Sequence, residues 1–278
     1  MPVIFLRNYA DDDQVILADM VRGSRYEEYL DRSRHDCLTV AEYENHVAGF
    51  SFAYVFSGQS FIFAFVSPKY RRLGVGTALY REAERKAREG GCESAWSTFY
   101  NRDEGEGFAR KVGTDQIKGN DYMKYAGGFS PSEDIRIRKY KDDDFLRCFY
   151  IGAYAWHDLR VRTGDRDSKP HLSDRQREES REQYARDADS MYVLEEDGQI
   201  VGFGSISGNE IDAVCVDMAQ YNRGFGRAIS IFLTNEILRR GNESANLWCE
   251  HGNDNARHIY SSIGYEVLYT GYTPIKKL

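Results

Sequence analysis

The feature that most constrains the fold is a long internal repeat. The stretch "IFLRNYADDD", which begins at Ile4, and the stretch "IRIRKYKDDD", which begins at Ile135, share the pattern I-x-(L/I)-R-x-Y-x-D-D-D. Further along, "HVAGFSF" at His46 resembles "QIVGFGS" at Gln199, and the glycine loop "KYRRLGVGTA" is followed later by "QYNRGFGRA". Three matches in the same order, at a period well above that of solenoid units, indicate the duplication of a whole domain.

Each repeat carries the same predicted secondary structure. An alternating strand comes before the "DDD" stretch, which is suited to capping a helix. A hairpin turns at Glu44–Asn45 in the first repeat and at Asp197–Gly198 in the second. A strand then enters each glycine loop, and an amphipathic helix follows it. The order β-α-β-β-β-α-β-α-β predicts an α/β fold with two tandem domains, each a mixed central sheet flanked by helices.

The domain boundary is predicted in "AGGFSPSED", residues 126–134, because glycine, proline and serine are typical of linkers. The predicted domains are therefore residues 1–128 and 129–278. The second repeat has 19 more residues between its first strand and its glycine loop, within a charged run around residues 161–182. We expect a solvated loop leading into a polar helix there, with a lid or substrate-selecting segment as the alternative.

Composition excludes several classes of protein. The 278 residues carry a net charge of −7 without a basic stripe, so a nucleic acid is not an expected partner. No apolar run approaches the roughly 20 residues of a membrane-spanning helix, and the first residues do not resemble a secretory signal. Five cysteines without CxxC spacing argue against a disulfide framework or a zinc site. We therefore expect a cytoplasmic protein with buried thiols, no metal, and no membrane partner.

Both glycine loops lie between a strand and a helix, where backbone N–H groups and the helix dipole bind phosphates. A Rossmann dinucleotide site needs a third glycine, but Leu79 and Ile229 occupy that position in the two loops. The G-K-(S/T) sequence of a P-loop is absent from both loops. The phosphate ligand is therefore expected to belong to another class.

The first loop resembles the acetyl-CoA pyrophosphate loop of the GNAT superfamily of N-acetyltransferases. That loop has the pattern (Q/R)-x-x-G-x-(G/A) after a strand ending V-x-P, and the first repeat matches it at Val66, Pro68, Arg71, Gly74 and Gly76. The resemblance implies acetyl-CoA as co-substrate.

The second loop is less regular. It keeps Val216, Gly224 and Gly226 but has Met218 and Tyr221 at the expected proline and glutamine or arginine positions. Arg223 is then expected to supply the positive charge in the second loop.

The closing motif of the same family, N-x-x-A-x-x-x-Y-x-x-x-G-(F/Y), is matched by "NDNARHIYSSIGY" at Asn253, Ala256, Tyr260, Gly264 and Tyr265. The tandem layout is similar to that of the mycothiol synthases. The resemblance implies N-acetyl transfer to a small-molecule or peptide amine by a monomer or homodimer.

The resemblance also implies contacts with acetyl-CoA along both loops and the strands before them. In the second repeat these residues are Val214, Val216, Tyr221, Arg223, Gly224, Phe225, Gly226, Arg227, Ala228 and Asn253. In the first repeat they are Val66, Arg71, Arg72, Leu73, Gly74, Val75, Gly76 and Thr77. Asn253 has an alternative role as the cap of the last helix.

By position in the family motifs, the second repeat carries the proton-transfer groups. Tyr260 is the candidate general acid, with a core tyrosine as the alternative, and Glu210 is the candidate general base. Asp212, two residues on, is the alternative candidate base and should face the same side of the strand. Counting back from the glycine loops, Ser60 of the first repeat corresponds to Glu210. Aligning Gly113 with Gly264 makes Ala109 correspond to Tyr260.

The second repeat is therefore the predicted catalytic half, and the first is predicted to be degenerate. Two alternatives stay open: the first half is the active one, or the chain is a non-catalytic acyl-CoA-binding sensor or scaffold. Trp248 and Trp156 are expected to be core residues, with substrate-stacking groups as the alternative.

Overall fold

The computed structural model describes residues 3–31, 37–56, 58–100, 102–129, 134, 136–164, 169–170 and 172–278. The chain packs as two compact units. The first comprises the described residues up to Lys118 together with Tyr272–Leu278, and the second comprises Gly119–Gly271.

The first unit is a sheet of the order β1-β2-β3-β4-β5-β12, in which β4 and β5 run parallel. Its strands are β1 (Ile4–Asn8), β2 (Thr39–Tyr43), β3 (His46–Phe56), β4 (Gln59–Val66), β5 (Ser94–Trp96) and the end of β12 (Tyr265–Lys277). Its helices are α1 (Asp13–Val21), α2 (Glu27–Asp31), α3 (Val75–Glu89) and α4 (Arg102–Lys111).

The second unit repeats this plan, with the order β7-β8-β9-β10-β11-β6 and a parallel pair formed by β10 and β11. Its strands are β7 (Ile137–Lys139), β8 (Met191–Glu196), β9 (Gln199–Ser207), β10 (Glu210–Val216), β11 (Asn246–Glu250) and most of β6 (Gln116–Tyr125). Its helices are α5 (Phe145–Arg162), α6 (Asp174–Asp187), α7 (Phe225–Arg239) and α8 (Asp254–Ile263). The predicted α/β fold, with parallel and antiparallel strand pairs flanked by helices, is confirmed.

Two apolar cores cover the faces of the second sheet. On β10, Val214 and Val216 pack with α7 and α8, whereas Cys215 packs with α5. On β11, Leu247 and Cys249 also face α7 and α8. Because side chains alternate along a strand, the residues between them face the α5 side of the sheet.

The repeats exchange their last strands. Residues 120–124 of β6, from the first repeat, pair with β11 in the second unit. Residues 275–277 of β12, from the second repeat, pair with β5 in the first unit. The compact units are therefore not the same division of the chain as the two sequence repeats, whose limits at 128 and 129 stay a prediction. Residues 130–133 of the predicted linker lie outside the described residues, as does residue 135, at which the second copy of the repeated stretch begins.

The duplication is visible at the level of single ion pairs. In the first unit, Arg7 bonds the carboxylates of Asp13 at 2.7 Å and Glu42 at 2.6 Å. In the second, Arg138 bonds Asp144 at 2.7 Å and Glu195. The third aspartate of each "DDD" stretch thus pairs with arginine.

That pairing changes the expected cap. Asp12, at the N-cap of α1, makes no side-chain cap hydrogen bond. Instead, the backbone N–H groups of Ala10 and Lys141 each donate to the third aspartate of their stretch at 2.8 Å. The aspartate orders the turn before the helix rather than the first turn of the helix.

The structure also bears on the predicted hairpin turns, the charged run of the second repeat and the cysteines. Both hairpins turn where expected, with Glu44–Asn45 and Asp197–Gly198 in the left-handed region. The charged run of the second repeat ends in the polar helix α6, which begins after the capping residue Ser173. Four of the five free cysteines are buried, and Cys37 is half-buried.

Candidate active site

A wedge-shaped gap opens between the two central parallel strands of each unit. In the second unit, β10 pairs with β11 only through Glu210 and Ile211, yet it stays paired with β9 as far as Val216. In the first unit, β4 pairs with β5 through Phe61 and then leaves it, while it stays paired with β3 as far as Val66. The unpaired half of each strand leaves backbone groups free to bind a ligand.

The direction of the N–H groups follows from one hydrogen bond in each unit. The N–H of Asp217 donates to Val201 on β9 at 2.9 Å. Because N–H groups alternate along a strand, those of Val214 and Val216 point into the gap. In the first unit the N–H of Ser67 donates to β3 at 3.0 Å, so the N–H of Val66 points into the first gap.

The glycine loops lie at the open end of each gap and have the same backbone conformation. Gly74 and Gly224 have φ of 92° and 84°, and each ends its loop at the N-terminus of a helix. Two residues earlier, Arg72 and Asn222 both have φ of 63°. Left-handed residues that alternate with ordinary ones turn successive N–H groups inward, which makes an anion-binding concavity. Both loops therefore fit a diphosphate at the positive end of α3 or α7.

Charged side chains surround the second loop. Arg223 lies 3.2 Å from a carboxylate oxygen of Glu196 and 4.9 Å from the centre of the Phe225 ring. Burial, with the neighbouring Asp158 carboxylate, raises the pKa of Tyr221 to about 12. The half-buried Tyr221 thus packs toward α5 instead of extending into solvent.

The remaining loop residues divide into core and surface. Phe225 and Val75 are buried, and Gly76, Thr77, Gly226 and Ala228 are half-buried. Arg71, Arg72, Leu73 and Arg227 are exposed. A Cβ on Gly76 would lie 3.4 Å from the Phe108 ring on α4, and one on Gly226 would lie 3.4 Å from Ile259 on α8. The second glycine of each loop therefore serves close helix packing.

Glu210 lies at the closed end of the second gap. Its Oε1 accepts a 2.7 Å hydrogen bond from the hydroxyl of Tyr122 on β6. Burial, followed by this hydrogen bond, raises the pKa of Tyr122 above its ordinary value. Asp212 lies in a β-bulge between Ile211 and Ala213, where its Oδ2 accepts a 3.0 Å hydrogen bond from Ser205.

That bulge changes the comparison between repeats. Counting back from the loop pairs Glu210 with Ser60, but β4 has no corresponding bulge. By strand register, Glu210 lies opposite Ser207 and Phe61 lies opposite Tyr54, at equivalent positions of the two hairpins. The first repeat thus has Phe61 at the Glu210 position, packed 4.4 Å from the ring of Trp96.

Tyr260 on α8 is 9% exposed and belongs to the core between α7, α8 and the sheet. Burial raises the pKa of Tyr260 above its ordinary value, and the nearby Cys249 and Cys215 add to the effect. Those two cysteines lie on the strands that separate at the gap. The equivalent Ala109 in the first unit is buried.

Asn253 occupies the N-cap position of α8 without a side-chain cap hydrogen bond, so the alternative capping role is not seen.

Tyr122 was not among the predicted site residues, because the strand that carries it belongs to the other repeat. The prediction that Trp248 and Trp156 are core residues is wrong, since they are 43% and 47% exposed. The alternation of side chains along β11 indicates that Trp248 is exposed, because its neighbours Leu247 and Cys249 are both buried.

Comparison with known proteins supplies the family. The model of the acetyltransferase (GNAT) family matches residues 6–113 and 153–265. The chain belongs to the GNAT family. It carries two tandem GNAT repeats, as the sequence predicted, and GNAT proteins as a family transfer acetyl groups from acetyl-CoA to amines. A search of curated proteins found no match.

Solved GNAT structures share the fold at low identity. A GCN5-related N-acetyltransferase from Sphaerobacter thermophilus is 16% identical, with a TM-score of 0.70 over 99% of this chain and 95% of that one. A tandem GNAT protein from the clavulanic acid biosynthesis pathway is 14% identical, with a TM-score of 0.59 over 100% and 98% of the two chains. A glucosamine N-acetyltransferase region of a fungal β-N-acetylglucosaminidase is 15% identical, with a TM-score of 0.66 over 99% of this chain and 38% of that one.

Two further findings concern the described residues only. They contain no group of three or more His, Cys, Asp or Glu side chains placed to hold a metal ion. No helix among them has the length and apolar character to cross a membrane.

Proposed function

We propose that this GNAT protein moves an acetyl group from acetyl-CoA to a primary amine by direct attack in a ternary complex, with the chemistry in the second repeat. One observation carries the proposal. At the same register position beside the gap, the second unit has the carboxylate of Glu210 and the first unit has the ring of Phe61. Only the former can accept a proton from an attacking amine.

The reaction assigns one task to each group. The amine nitrogen attacks the thioester carbonyl carbon, the C–N bond forms, and the C–S bond breaks. Glu210 takes the proton that the amine loses, and Tyr260 donates a proton to the departing thiolate. Amine in its ammonium form and acetyl-CoA thus become amide, free CoA thiol and one released proton.

The surroundings suit these tasks. The N–H groups of Val214 and Val216 point into the gap, where they can donate to the thioester oxygen as negative charge develops on it. The phenol of Tyr260, whose pKa burial raises above an already high ordinary value, carries at neutral pH the proton that a general acid must donate. Asp212 is a less suited base than Glu210, because it lies on the bulge and bonds Ser205 on β9.

The first unit keeps the same loop and gap without these groups. We infer that it retains the geometry for holding acetyl-CoA but does not transfer the acetyl group. In the first unit we assign acetyl-CoA contacts to the loop residues from Arg71 to Thr77 and to Val66 at the strand end. In the second unit we assign them to Val214, Val216, Tyr221, the residues from Arg223 to Ala228, and Asn253.

The test is release of CoA thiol from acetyl-CoA by the full chain with a broad panel of primary amines. We expect amine-dependent release that yields one acetylated amine for each thiol. If acetyl-CoA binds but no amine stimulates release, the protein is a sensor or scaffold and the proposal fails.

A further inference from the structure

Three aromatic rings form a platform beside Glu210. Trp248 and Tyr122, on adjacent strands, have ring centres 4.8 Å apart, and Tyr269 lies 5.0 Å from Tyr122 and 5.7 Å from Trp248. Trp248 is 43% exposed, although its neighbours Leu247 and Cys249 are buried. Trp248 thus presents an exposed aromatic surface that packs against two tyrosine rings. The packing of the core does not require this exposure.

The platform lies on the α5 side of the second sheet. Leu247 and Cys249 face α7 and α8, so Trp248 between them faces the other side. The glycine loop begins α7. An acetyl group carried through the gap from that loop therefore emerges on the side where Trp248 is exposed.

Carboxylates accompany the aromatic rings. Tyr122 belongs to the platform and donates its hydroxyl to Glu210, which joins the two in one cluster. Asp212 is exposed and bonds Ser205, which lies two residues from Phe203 on β9. Phe203 packs with α5, so Asp212 extends toward the same side.

We infer that this cluster is the acceptor subsite and that it selects amines carrying a second cationic group. The inference rests on the proposed function, in which Glu210 takes a proton only from the amine nitrogen that reacts. A second ammonium stays charged, and an aromatic face with flanking carboxylates binds such a group through its π electrons and its charge. A monoamine fills the reactive position but leaves the Trp248 face without a cation.

One exposed cation opposes this preference. Lys124 lies two residues from Tyr122 on β6, opposite Asn246, and therefore extends from the same side of the sheet. Its charge should repel a second ammonium. Lys124→Gln is therefore a variant expected to strengthen the selection, whereas loss of the aromatic face weakens it.

The experiment compares 1,5-diaminopentane with pentylamine and 5-aminopentan-1-ol as acceptors for the full chain. All three probes carry a primary amine on a five-carbon chain. Only the diamine carries a second ammonium at the far end. We expect the wild type to prefer the diamine about tenfold in kcat/KM. Trp248→Leu should lower the ratio of diamine to monoamine kcat/KM about tenfold, chiefly through KM, and Trp248→Phe should retain part of it.

Trp156→Leu is the matched control, because Trp156 is a similarly exposed tryptophan on α5. It should leave the ratio unchanged, and Lys124→Gln should raise it. Equal use of the three amines by the wild type overturns the inference, as does a Trp248→Leu variant that keeps the wild-type ratio.

Calorimetric titration of the acetyl-CoA-loaded protein with 1,5-diaminopentane separates the two failures. Diamine binding that weakens in Trp248→Leu, without any thiol release, supports the subsite and refutes the enzyme. Thiol release without preference for the diamine supports the enzyme and refutes the subsite. Absence of both binding and release refutes the two together.

Discussion

The phenol of Tyr122 and the carboxylate of Glu210 lie 88 residues apart in the sequence and are joined by a 2.7 Å hydrogen bond. The first residue belongs to the first repeat, and the second to the candidate catalytic centre of the other. On the proposed assignment of Glu210 as the base, the repeat without proton-transfer groups thus orients the base of the other repeat.

Tyr122→Phe should therefore slow acetyl transfer without weakening acetyl-CoA binding. A hydrogen bond to a charged group is worth about 1.5–3 kcal/mol, so we expect kcat/KM for the amine to fall about tenfold or more. Steady-state rates at saturating acetyl-CoA test this. Tyr154→Phe, an exposed tyrosine on α5, is the control. An unchanged rate in Tyr122→Phe would remove Tyr122 from the positioning of Glu210.

Tyr260→Phe should lower kcat on the order of a hundredfold, because the thiolate then leaves without a general acid. The Michaelis constant for acetyl-CoA should stay within about twofold, since no loop or gap contact changes. The phenyl ring preserves the packing around Tyr260, so the midpoint of urea unfolding should shift little. Turnover at the wild-type rate would assign Tyr260 to the core alone.

Gly224→Val and Gly74→Val form a matched pair that distinguishes the two loops. Each glycine has a positive φ, and an L side chain there costs about 1–2 kcal/mol, more for a branched one. A Cβ meets nothing within 4 Å at Gly224 and only Ile4 at 3.5 Å at Gly74, so strain rather than collision is the cause.

We expect Gly224→Val to abolish most amine-dependent thiol release and Gly74→Val to spare it. Equilibrium dialysis with acetyl-CoA should show two sites in the wild type and one in each variant. If only Gly74→Val abolishes thiol release, the first unit is the active one.

A buried ion pair holds the exchanged strand in the first unit. Nζ of Lys276 on β12 contacts the carboxylate of the fully buried Glu84 on α3 and the carbonyl of Val112. Lys276→Met should destabilise the chain by about 3 kcal/mol, since it leaves a buried carboxylate whose remaining ion-pair partner among the described residues is Arg81. Lys276→Met with Glu84→Leu should recover most of that loss. Urea unfolding measures both, and an unaffected Lys276→Met variant would contradict the expectation.

The duplicated arginine–aspartate pairs make the chain sensitive to acid. Hydrogen bonds from Arg7 and Arg138 lower the pKa of Asp13 and Asp144 below the ordinary value of 3.8. A carboxyl group whose pKa is lower in the folded state stabilises the fold at pH values above its unfolded pKa of about 4. That stabilisation declines below this pH and is lost as pH falls through the lower pKa of the folded state.

Asp13→Asn and Asp144→Asn should each cost about 2 kcal/mol at pH 7 and flatten the fall in stability below pH 4. Unfolding at pH 7 and pH 3 measures the difference. Asp174→Asn on the polar helix α6 is the control. If both variants lose stability below pH 4 as steeply as the wild type, these ion pairs are not the cause of the acid sensitivity.

The sequence predicted those features that local patterns encode. The hairpin turns depend on residues that tolerate a positive φ, and both loops repeat the same glycine at the same place before a helix. The family pattern predicted a tyrosine on the last helix, and Tyr260 lies on α8. Such features depend on a few neighbouring residues, which is why they could be read without a structure.

Three features escaped because they depend on partners distant in the sequence. The exchange of β6 and β12 is a choice of strand partner, and each strand pattern alone fits either sheet. The bulge at Asp212 shifts the register by one residue and turns the Ser60 comparison into a Phe61 comparison. The exposure of Trp248 depends on what packs against its side of β11, which residue type alone does not reveal.

The reciprocal strands also bear on how such a gene can change. A chain shortened to one repeat would lose the strand that covers β5 or β11 and expose an open sheet edge, which favours aggregation. Mutation can therefore remove the chemistry of one copy, but deletion of that copy harms the other. On the proposed assignment, the exchange makes the degenerate repeat indispensable, which would explain how a domain without a base persists beside one that has it.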